Sequence, residues 1–180
     1  IIEEIFLMKV LKGITLLVLA IVLAACGNSA EDDSPEKVIE KASVVLMIND
    51  EELLADTTIW TITYKTKFRA SIGKVMSAED TKVGDLITYF SEGDIMESYP
   101  SRGTLKTVTV LNDEYSLHVS SAIAHFLEDQ TEGDVLVFNI LSLEGAMLTS
   151  EMQLRDLEYD GSFTVEIDVD TKEYAITENS

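Results

Sequence analysis

The chain has 180 residues, 46% of them hydrophobic, so it can bury a core in one medium-sized or two small domains. Its 33 acidic residues outnumber 13 lysines and arginines, and the net charge is -20. This charge argues against nucleic-acid binding, which needs a basic patch, and against electrostatic attachment to an anionic membrane. One cysteine and two histidines form neither an internal disulfide nor a zinc site, so we predict no metal and no cofactor.

The N-terminal segment has the three parts of an export signal. From Met8 it reads MKVLKGITLLVLAIVLAAC: two lysines, an apolar stretch and then small residues. The apolar stretch has about half of the ~20 residues that a membrane-spanning helix needs. We predict a signal peptide over residues 1–25, with Met8 as the true start, because the two glutamates before Met8 oppose the positive charge of such a segment.

The only cysteine lies at the predicted cleavage site, in Leu23-Ala24-Ala25-Cys26. These four residues resemble the lipobox of bacterial lipoproteins. The resemblance implies that Cys26 receives a diacylglycerol, that cleavage follows before it, and that the new N-terminus can be acylated, for example with palmitate. Two or three acyl chains give stable anchoring. We predict an extracytoplasmic lipoprotein anchored to the bacterial cell membrane; the alternative is a small buried cysteine after an ordinary signal.

Residues 26–33 combine this cysteine with small, polar and acidic residues, which predict a flexible tether. Gly27 stands where the family uses Asp for inner-membrane retention, so the envelope type stays open.

The first half of the remaining chain predicts one helix and several strands. Ser34-Pro35-Glu36 provides a helix cap, a proline at the first helical position and an acid near the positive end of the dipole, so a helix should run to about Ala42. From Thr58 to Phe68 apolar and polar residues alternate, which predicts one strand with Trp60, Ile62, Tyr64 and Phe68 on its buried face. Further strands are predicted at residues 44–48, 86–90 and 105–111. Strands at this spacing suggest a small barrel or sandwich.

The second half predicts a helix packed on an antiparallel sheet. Ile123, Phe126 and Leu127 have helical spacing, so we predict a short amphipathic helix over residues 120–129. Strands are predicted at residues 135–141, 163–169 and 174–177, the last two as a hairpin through Asp170-Thr171-Lys172. The fold class is therefore α+β, mostly β.

One stretch carries a family resemblance. Residues 82–111, KVGDLITYFSEGDIMESYPSRGTLKTVTVL, resemble the YobA-like lipoprotein domain of unknown function of Gram-positive bacteria. The matching residues are Val83, Gly84, Gly93, Ile95, Glu97, Ser98, Tyr99, Pro100 and Gly103, with Ile87 in place of the usual Val. The resemblance covers residues 43–111 and implies a small OB-like β-barrel without catalytic residues.

Residues 120–180 are similar to a second uncharacterised domain of Gram-positive secreted proteins. Leu157, Tyr159, Asp160 and Gly161 match its pattern, whereas residues 142–154, SLEGAMLTSEMQL, depart where that family has a shorter polar connection. We therefore predict an OB-like β domain at residues 34–112 and a small α+β domain at residues 113–180.

The segment ESYPSRG is the most tempting local site, with Glu97 and Tyr99 as an acid or ligand pair. The alternative is a tight turn, in which Pro100 fixes one dihedral, Gly103 allows an unusual one, and Glu97 and Ser98 satisfy backbone donors. We favour the turn, because a reaction needs a second convergent group that the sequence does not identify.

Other candidates are weaker. Glu166, Asp168 and Asp170 form an acidic row, but calcium needs six or more oxygens and usually a glycine-bearing loop, so we favour a solvated strand face. His118, in a predicted strand, and His125, on the predicted helix, have no G-x-S-x-G nucleophile motif beside them.

These observations predict a non-enzymatic lipoprotein that binds or interacts with something in the envelope, either a protein or a small ligand. Two alternatives stay open. The first is a small-molecule or divalent-cation-binding lipoprotein, and the second is a hydrolase that uses carboxylates such as Glu97.

Overall fold

The structure, a computed structural model, describes residues 34–130, 135–154 and 161–179. The predicted signal peptide, lipobox and tether lie outside the described residues, as do three of the four matches to the second family. Residues 34–180 belong to one compact unit. The helices are α1 (Pro35–Glu40) and α2 (Glu114–Asp129). The strands are β1 (Ser43–Val44), β2 (Met47–Ile48), β3 (Glu52–Ala55), β4 (Thr58–Thr61), β5 (Lys67–Ala70), β6 (Val75–Met76), β7 (Leu86–Ser91), β8 (Ser101–Val110), β9 (Val135–Glu144), β10 (Met147–Leu154), β11 (Ser162–Asp168) and β12 (Tyr174–Glu178).

Helix α1 begins as predicted. The Ser34 hydroxyl accepts a hydrogen bond from the Lys37 amide at 3.4 Å, and Pro35 occupies the first turn. The helix ends at Glu40, two residues before the predicted end. The Leu143 amide donates to Glu40 Oε1 at 3.3 Å, which ties the end of this helix to β9.

The first sheet has the order β1-β7-β8-β4-β3-β2, and β5 pairs with both β6 and β8. Residues 43–48 supply both ends of this order, because β1 pairs with β7 and β2 pairs with β3. The sheet therefore curls back toward itself. The single strand predicted at residues 44–48 is wrong: between β1 and β2, the Val45 amide donates to the Asp85 carbonyl and the Leu46 amide to the Leu54 carbonyl.

The strand predicted from Thr58 to Phe68 is also two strands. Both β4 and β5 run parallel to β8, opposite residues 101–104 and 107–110 respectively. Between them the Thr66 amide donates to the Thr63 carbonyl at 3.0 Å, which closes a turn. Tyr64 lies in this turn and is 94% exposed, so its prediction as a buried residue is wrong. The turn breaks the alternation on which that prediction relied.

The second sheet is antiparallel and has the order β12-β11-β10-β9. Strands β11 and β12 pair as a hairpin, which confirms the hairpin predicted through Asp170-Thr171-Lys172. Strand β10 was not predicted, since residues 142–154 looked like a departure from the second family. Ser150, fully buried in the middle of β10, interrupts the apolar row that would have revealed this strand. The class α+β, mostly β, therefore holds.

Helix α2 begins six residues earlier than predicted. Asp113 caps it, with Oδ1 accepting from the Ser116 amide at 2.9 Å. His118 therefore lies on this helix, and its prediction in a strand is wrong. Within the described residues, no helix has the length and apolar character needed to cross a bilayer.

Two apolar clusters hold these elements together. One fills the curled sheet and includes Trp60, Leu105 and Val108. The other joins residues from both sides of the predicted boundary at residue 112, such as Leu86 from β7 and Phe126 from α2. The two predicted domains therefore share a core, and burial of its apolar surface stabilises both together.

At Gly84 the chain leading into β7 approaches helix α2 closely. Gly84 has φ +88°, and a Cβ atom there would lie 2.6 Å from the Ala124 Cβ and 2.7 Å from the Ala124 Cα. Beside it, the Leu86 amide donates to the Ser120 hydroxyl at 3.3 Å. A bare backbone at residue 84 is what allows α2 to pack on the start of β7.

We predict that Gly84→Ala lowers the free energy of unfolding by about 3 kcal/mol, because the added methyl group meets the α2 backbone and the residue keeps a left-handed φ. Gly93→Ala is the matched control: its φ is +78°, but a Cβ there meets nothing within 4 Å. It should cost only about 1 kcal/mol. Urea denaturation measures both, and equal losses would contradict the proposed contact with α2.

Candidate functional site

The end of the curled sheet where β8 begins carries the ESYP motif. The connection from β7, residues 92–100, is named the β7–β8 loop. Three large apolar side chains on this loop are between 48% and 67% exposed: Ile95, Met96 and Tyr99. Exposed apolar side chains that cluster in this way mark interaction sites more often than single ones do.

Hydrogen bonds within the loop fix its conformation. The Met96 amide donates to the Arg102 carbonyl at 2.8 Å, and the Arg102 amide donates back to the Met96 carbonyl at 3.3 Å. The Ser98 hydroxyl donates to the Pro100 carbonyl at 2.7 Å, and the Ser101 hydroxyl donates to the Ser98 carbonyl at 3.2 Å. The loop therefore presents its apolar side chains from an ordered backbone, which lowers the entropy cost of binding.

The turn interpretation of ESYP needs two corrections. Ser98 bonds a backbone acceptor and not a donor. Glu97 is exposed and makes no hydrogen bond or ion pair with any residue that the structure describes, so it does not hold the turn either. Tyr99 instead links the loop to the second sheet, because its hydroxyl donates to Gln153 Oε1 at 3.1 Å.

Gly103 has a different role from the one predicted. Its φ does not lie in the left-handed region. A Cβ atom at this position would lie 2.5 Å from Trp60 Cζ3. Gly103 therefore leaves room for the indole ring to pack against the start of β8. This requirement comes from a residue far away in the chain, and no local pattern in the sequence signals it.

A polar cluster that includes the β3–β4 turn was missed by sequence reasoning. The Tyr89 hydroxyl donates to Asp56 Oδ2 at 3.0 Å, and the Ser43 hydroxyl donates to the same oxygen. The Tyr89 ring lies 4.8 Å from the Trp60 ring, centroid to centroid. Burial, followed by the Asp56 carboxylate, raises the pKa of Tyr89 well above its usual value. Tyr89 is therefore a hydrogen-bond donor at any physiological pH.

Backbone strain marks this cluster. Asp56 and Thr57, which join β3 to β4, have φ 49° and 64°. Positive φ at both central residues is typical of tight hairpin turns, where Asn-Gly is preferred. A β-branched threonine in this region is strained. The Thr57 carbonyl accepts from the Ser101 amide at 3.0 Å, so the strained turn is joined to the foot of the β7–β8 loop.

The predicted acidic row does not converge on one point. Asp168 accepts from the Thr171 amide at 2.9 Å and from the Asp170 amide at 3.0 Å, and these bonds, that from Thr171 first, lower its pKa. Asp170 lies 2.9 Å from His118 Nε2, and Glu166 is exposed on β11. No metal-binding group of three or more His, Cys, Asp or Glu side chains occurs among residues 34–130, 135–154 and 161–179.

The histidines lie on α2 and do not meet. His118 pairs with Asp170 of the β11–β12 turn, while His125 is exposed to solvent. His118 also borders an open surface depression with Glu114, Tyr115 and Leu117.

Comparison with protein-family models, with curated proteins and with solved structures finds no match to this chain. The site is therefore defined by its geometry. It consists of an ordered loop with exposed apolar side chains, joined at its foot to a strained turn that carries part of a polar cluster.

We predict that Thr57→Gly raises the free energy of unfolding by about 1 kcal/mol, because glycine adopts positive φ without a steric penalty. Thr57→Val, which keeps the β-branch, should give no gain. Thermal or urea unfolding of both variants measures the difference. A loss of stability in the glycine variant would show that Thr57 is not strained in solution.

Proposed function

We propose that the chain is a lipid-anchored, non-enzymatic binding module whose contact surface is the β7–β8 loop. The observation that carries the proposal is the cluster of exposed apolar side chains on an ordered loop. The barrel supports it, because the loop is held at both ends by the paired strands β7 and β8. Sites built on such a scaffold are typical of binding domains.

We also propose that the first sheet is an OB-type barrel. Taken as single runs, residues 43–48 and residues 58–70 reduce the sheet to five runs in addition to the two-residue edge strand β6. The first run, residues 43–48, pairs with β3 and with β7. The third run, residues 58–70, is parallel to β8, which is the fifth run. This connectivity supports a five-stranded Greek-key barrel, whose fourth and fifth strands are joined by a loop that commonly binds ligands. Here that loop is the β7–β8 loop.

Membership of the YobA-like lipoprotein family is part of the same proposal. Two of its matching residues, Gly84 and Gly103, are positions where a Cβ would collide with a neighbouring element. Two others, Ser98 and Tyr99, hold the β7–β8 loop in place through hydrogen bonds. The residues that carry the resemblance therefore build the barrel and its loop, which supports a shared fold.

The chemistry of the loop favours a protein partner. Glu92, Asp94 and Glu97 are interleaved with its apolar residues. The nearby cation of Arg102 is already paired with Glu52 at 3.1 Å. A complementary partner would have an apolar centre with a rim of lysine or arginine, since interfaces combine an apolar core with opposite charges around it. We propose an envelope protein with such a surface.

Two features favour binding over catalysis. Glu97, the best candidate acid, has no convergent group among the described residues that would tune it. Asp56, a half-buried carboxylate, accepts hydrogen bonds from two hydroxyls and so positions the segments that carry them. We propose a structural role for Asp56 and place Glu97 among the acidic residues of the contact surface.

We predict that a photo-crosslinking amino acid at Met96 captures one discrete protein on intact cells. The same probe at Leu141, also exposed but on β9, is the matched control and should capture none. Combining the probe at Met96 with Ile95→Glu should abolish the adduct, because the substitution places a fourth carboxylate in the contact. Adducts of equal yield at both positions would refute the β7–β8 loop as the contact surface.

The anchor is tested separately. We predict that Cys26→Ala releases the protein to the medium or leaves it as an uncleaved precursor, because the thioether-linked lipid is what holds the chain at the membrane. Cell fractionation with immunoblotting measures both forms. A processed protein that stays bound to the membrane in the Cys26→Ala variant would show that the anchor lies elsewhere.

A further inference from the structure

The charge of this acidic chain is unevenly distributed. Residues 57–78 contain no aspartate and no glutamate, although the whole chain has 33 acidic residues. The same segment contains Lys65, Lys67, Arg69 and Lys74. The net charge of -20 therefore describes the whole chain and not the surface that this segment forms.

Strand pairing brings these cations to one surface. In the register of β6, β5, β8 and β7, Arg69 lies opposite Val75 on one side and Thr109 on the other. Lys67 lies opposite Thr107 in the neighbouring row. Phe68 and Ala70 alternate with the two cations and are buried, so Lys67 and Arg69 point outward.

The two turns that flank β5 extend this surface. The Thr66 hydroxyl donates to the Leu105 carbonyl at 2.8 Å, which brings the β4–β5 turn next to the exposed Lys106. The hairpin from β5 to β6 adds Ile72 and Lys74. We name this surface the cationic face and define it by these residues: Tyr64, Lys65, Lys67, Arg69, Ile72, Lys74, Val75 and Lys106.

The five cations of this face have no carboxylate partner within the part of the chain that the structure describes. The ion pairs found there involve Lys37, Arg102 and His118. Arg69 instead donates to the Thr109 hydroxyl at 2.9 Å. Asp80 borders the face near Lys74, but its carboxylate accepts from the amide and the hydroxyl of Ser77 at 2.8 Å. In a chain this acidic, unpaired cations indicate a surface kept free for an anionic partner.

Three apolar side chains project from the same face. Tyr64 is 94%, Val75 is 86% and Ile72 is 63% exposed. Tyr64 and Ile72 lie in turns and Val75 lies in the short edge strand β6, so all three project beyond the main strands of the sheet. Apolar and aromatic tips surrounded by lysine and arginine are typical of surfaces that rest at the interface of a bilayer.

We propose that the cationic face rests on the anionic bilayer to which the chain is anchored. The five cations contact lipid phosphates, and Tyr64, Ile72 and Val75 enter the headgroup region. A bilayer fits better than a soluble polyanion, because a hydrophilic polymer offers nothing to the three apolar tips. Repulsion from the remaining acidic surface is screened over about 8 Å at physiological ionic strength, so a close contact is decided by the local charge.

The position of helix α1, with which the compact unit begins, agrees with a membrane at the cationic face. The proximity of the membrane rests on the proposed anchor at Cys26, from which residues 27–33 reach at most about 25 Å. Burial raises the pKa of Tyr115, and the carboxylates of Glu36 on α1 and of Asp170 contribute to the shift. Helix α1 also contacts α2. Asn112, just before Tyr115, accepts from the Ile72 amide at 2.8 Å. Helix α1, with which the compact unit begins, therefore lies near the hairpin tip of the cationic face.

The β7–β8 loop lies at the opposite end of β8 from the tip of the β5–β6 hairpin. It precedes β8, whereas the hairpin tip packs beside the residues that follow β8. A strand of this length spans about 30 Å. The hairpin tip of the cationic face and the proposed protein-binding loop thus lie at opposite ends of one strand, so the tip can contact the bilayer while the loop contacts a partner.

Quenching by brominated lipids tests the proposal directly. The mature chain from residue 26 contains the whole compact unit of residues 34–180. Its only thiol, Cys26, is coupled to a maleimide lipid in vesicles, which supplies the anchor chemically. A Tyr64→Trp variant reports the depth of the face, and Thr177→Trp on β12 is the control. The native Trp60 is 1% exposed and gives a constant background.

We expect the emission added by Tyr64→Trp to be quenched several-fold more than that added by Thr177→Trp in phosphatidylglycerol vesicles, and little in phosphatidylcholine vesicles. Introducing Lys67→Glu with Arg69→Glu should abolish this difference. Lys41→Glu with Lys172→Glu, which changes the net charge equally but elsewhere, should leave it intact. Circular dichroism confirms that each variant is folded.

Three results would overturn the proposal: equal quenching in the two tryptophan variants, equal quenching in both lipids, or quenching that survives charge reversal on β5. An emission shift of the Tyr64→Trp variant with heparin in solution, without lipid-dependent quenching, would assign the face to a polyanion instead. Because the anchor is attached chemically, these results do not depend on lipidation of Cys26 in cells, which the Cys26→Ala variant tests.

Discussion

Strand β8 is the constraint on which the rest of the structure depends. It pairs with β7 on one side and with β4 and then β5 on the other, so ten residues organise three neighbours. Two of these pairings are parallel, which requires the chain to cross over before β8 is reached. Gly103 permits the approach of Trp60 at its start, and Asn112 receives the β5–β6 hairpin after its end. The β7–β8 loop and the hairpin tip of the cationic face lie near opposite ends of this strand.

Local signals in the sequence predicted the elements that depend on neighbouring residues. The cap at Ser34 and the turn at Asp170-Thr171-Lys172 were predicted correctly, because side-chain hydrogen bonds and turn geometry act over three or four residues. The start of α2 was missed for the opposite reason. Its first turn is capped by Asp113, but Leu117 is half exposed, so the apolar period becomes visible only later in the helix.

Features that depend on distant pairing were not predictable. The alternation from Thr58 to Phe68 continues through a turn because Tyr64, although aromatic, projects into solvent. The polar cluster of Ser43, Asp56 and Tyr89 draws on three separate segments, none of which has a recognisable motif. The glycines at positions 84 and 103 were noticed for a family pattern, and yet their physical role is the close approach of Ala124 and Trp60. A single sequence contains no direct record of such contacts.

The net charge of a chain and the charge of one surface act over different distances. A sum over the chain describes solubility and long-range repulsion, but contact depends on the few residues within a screening length. The acid-free segment of residues 57–78 was visible in the sequence; its meaning required the register of β5 against β8, which shows that the cations share one face.

The contact of Gly84 with Ala124 bears on how this protein can vary over time. A larger residue at position 84 is blocked by the helix, and the helix is held there by a core to which both halves contribute. Neither half can be exchanged for a foreign counterpart unless the small residue facing it is matched. The curled sheet and the helix-bearing half are therefore expected to be inherited as one unit, with substitutions at their junction arising in pairs.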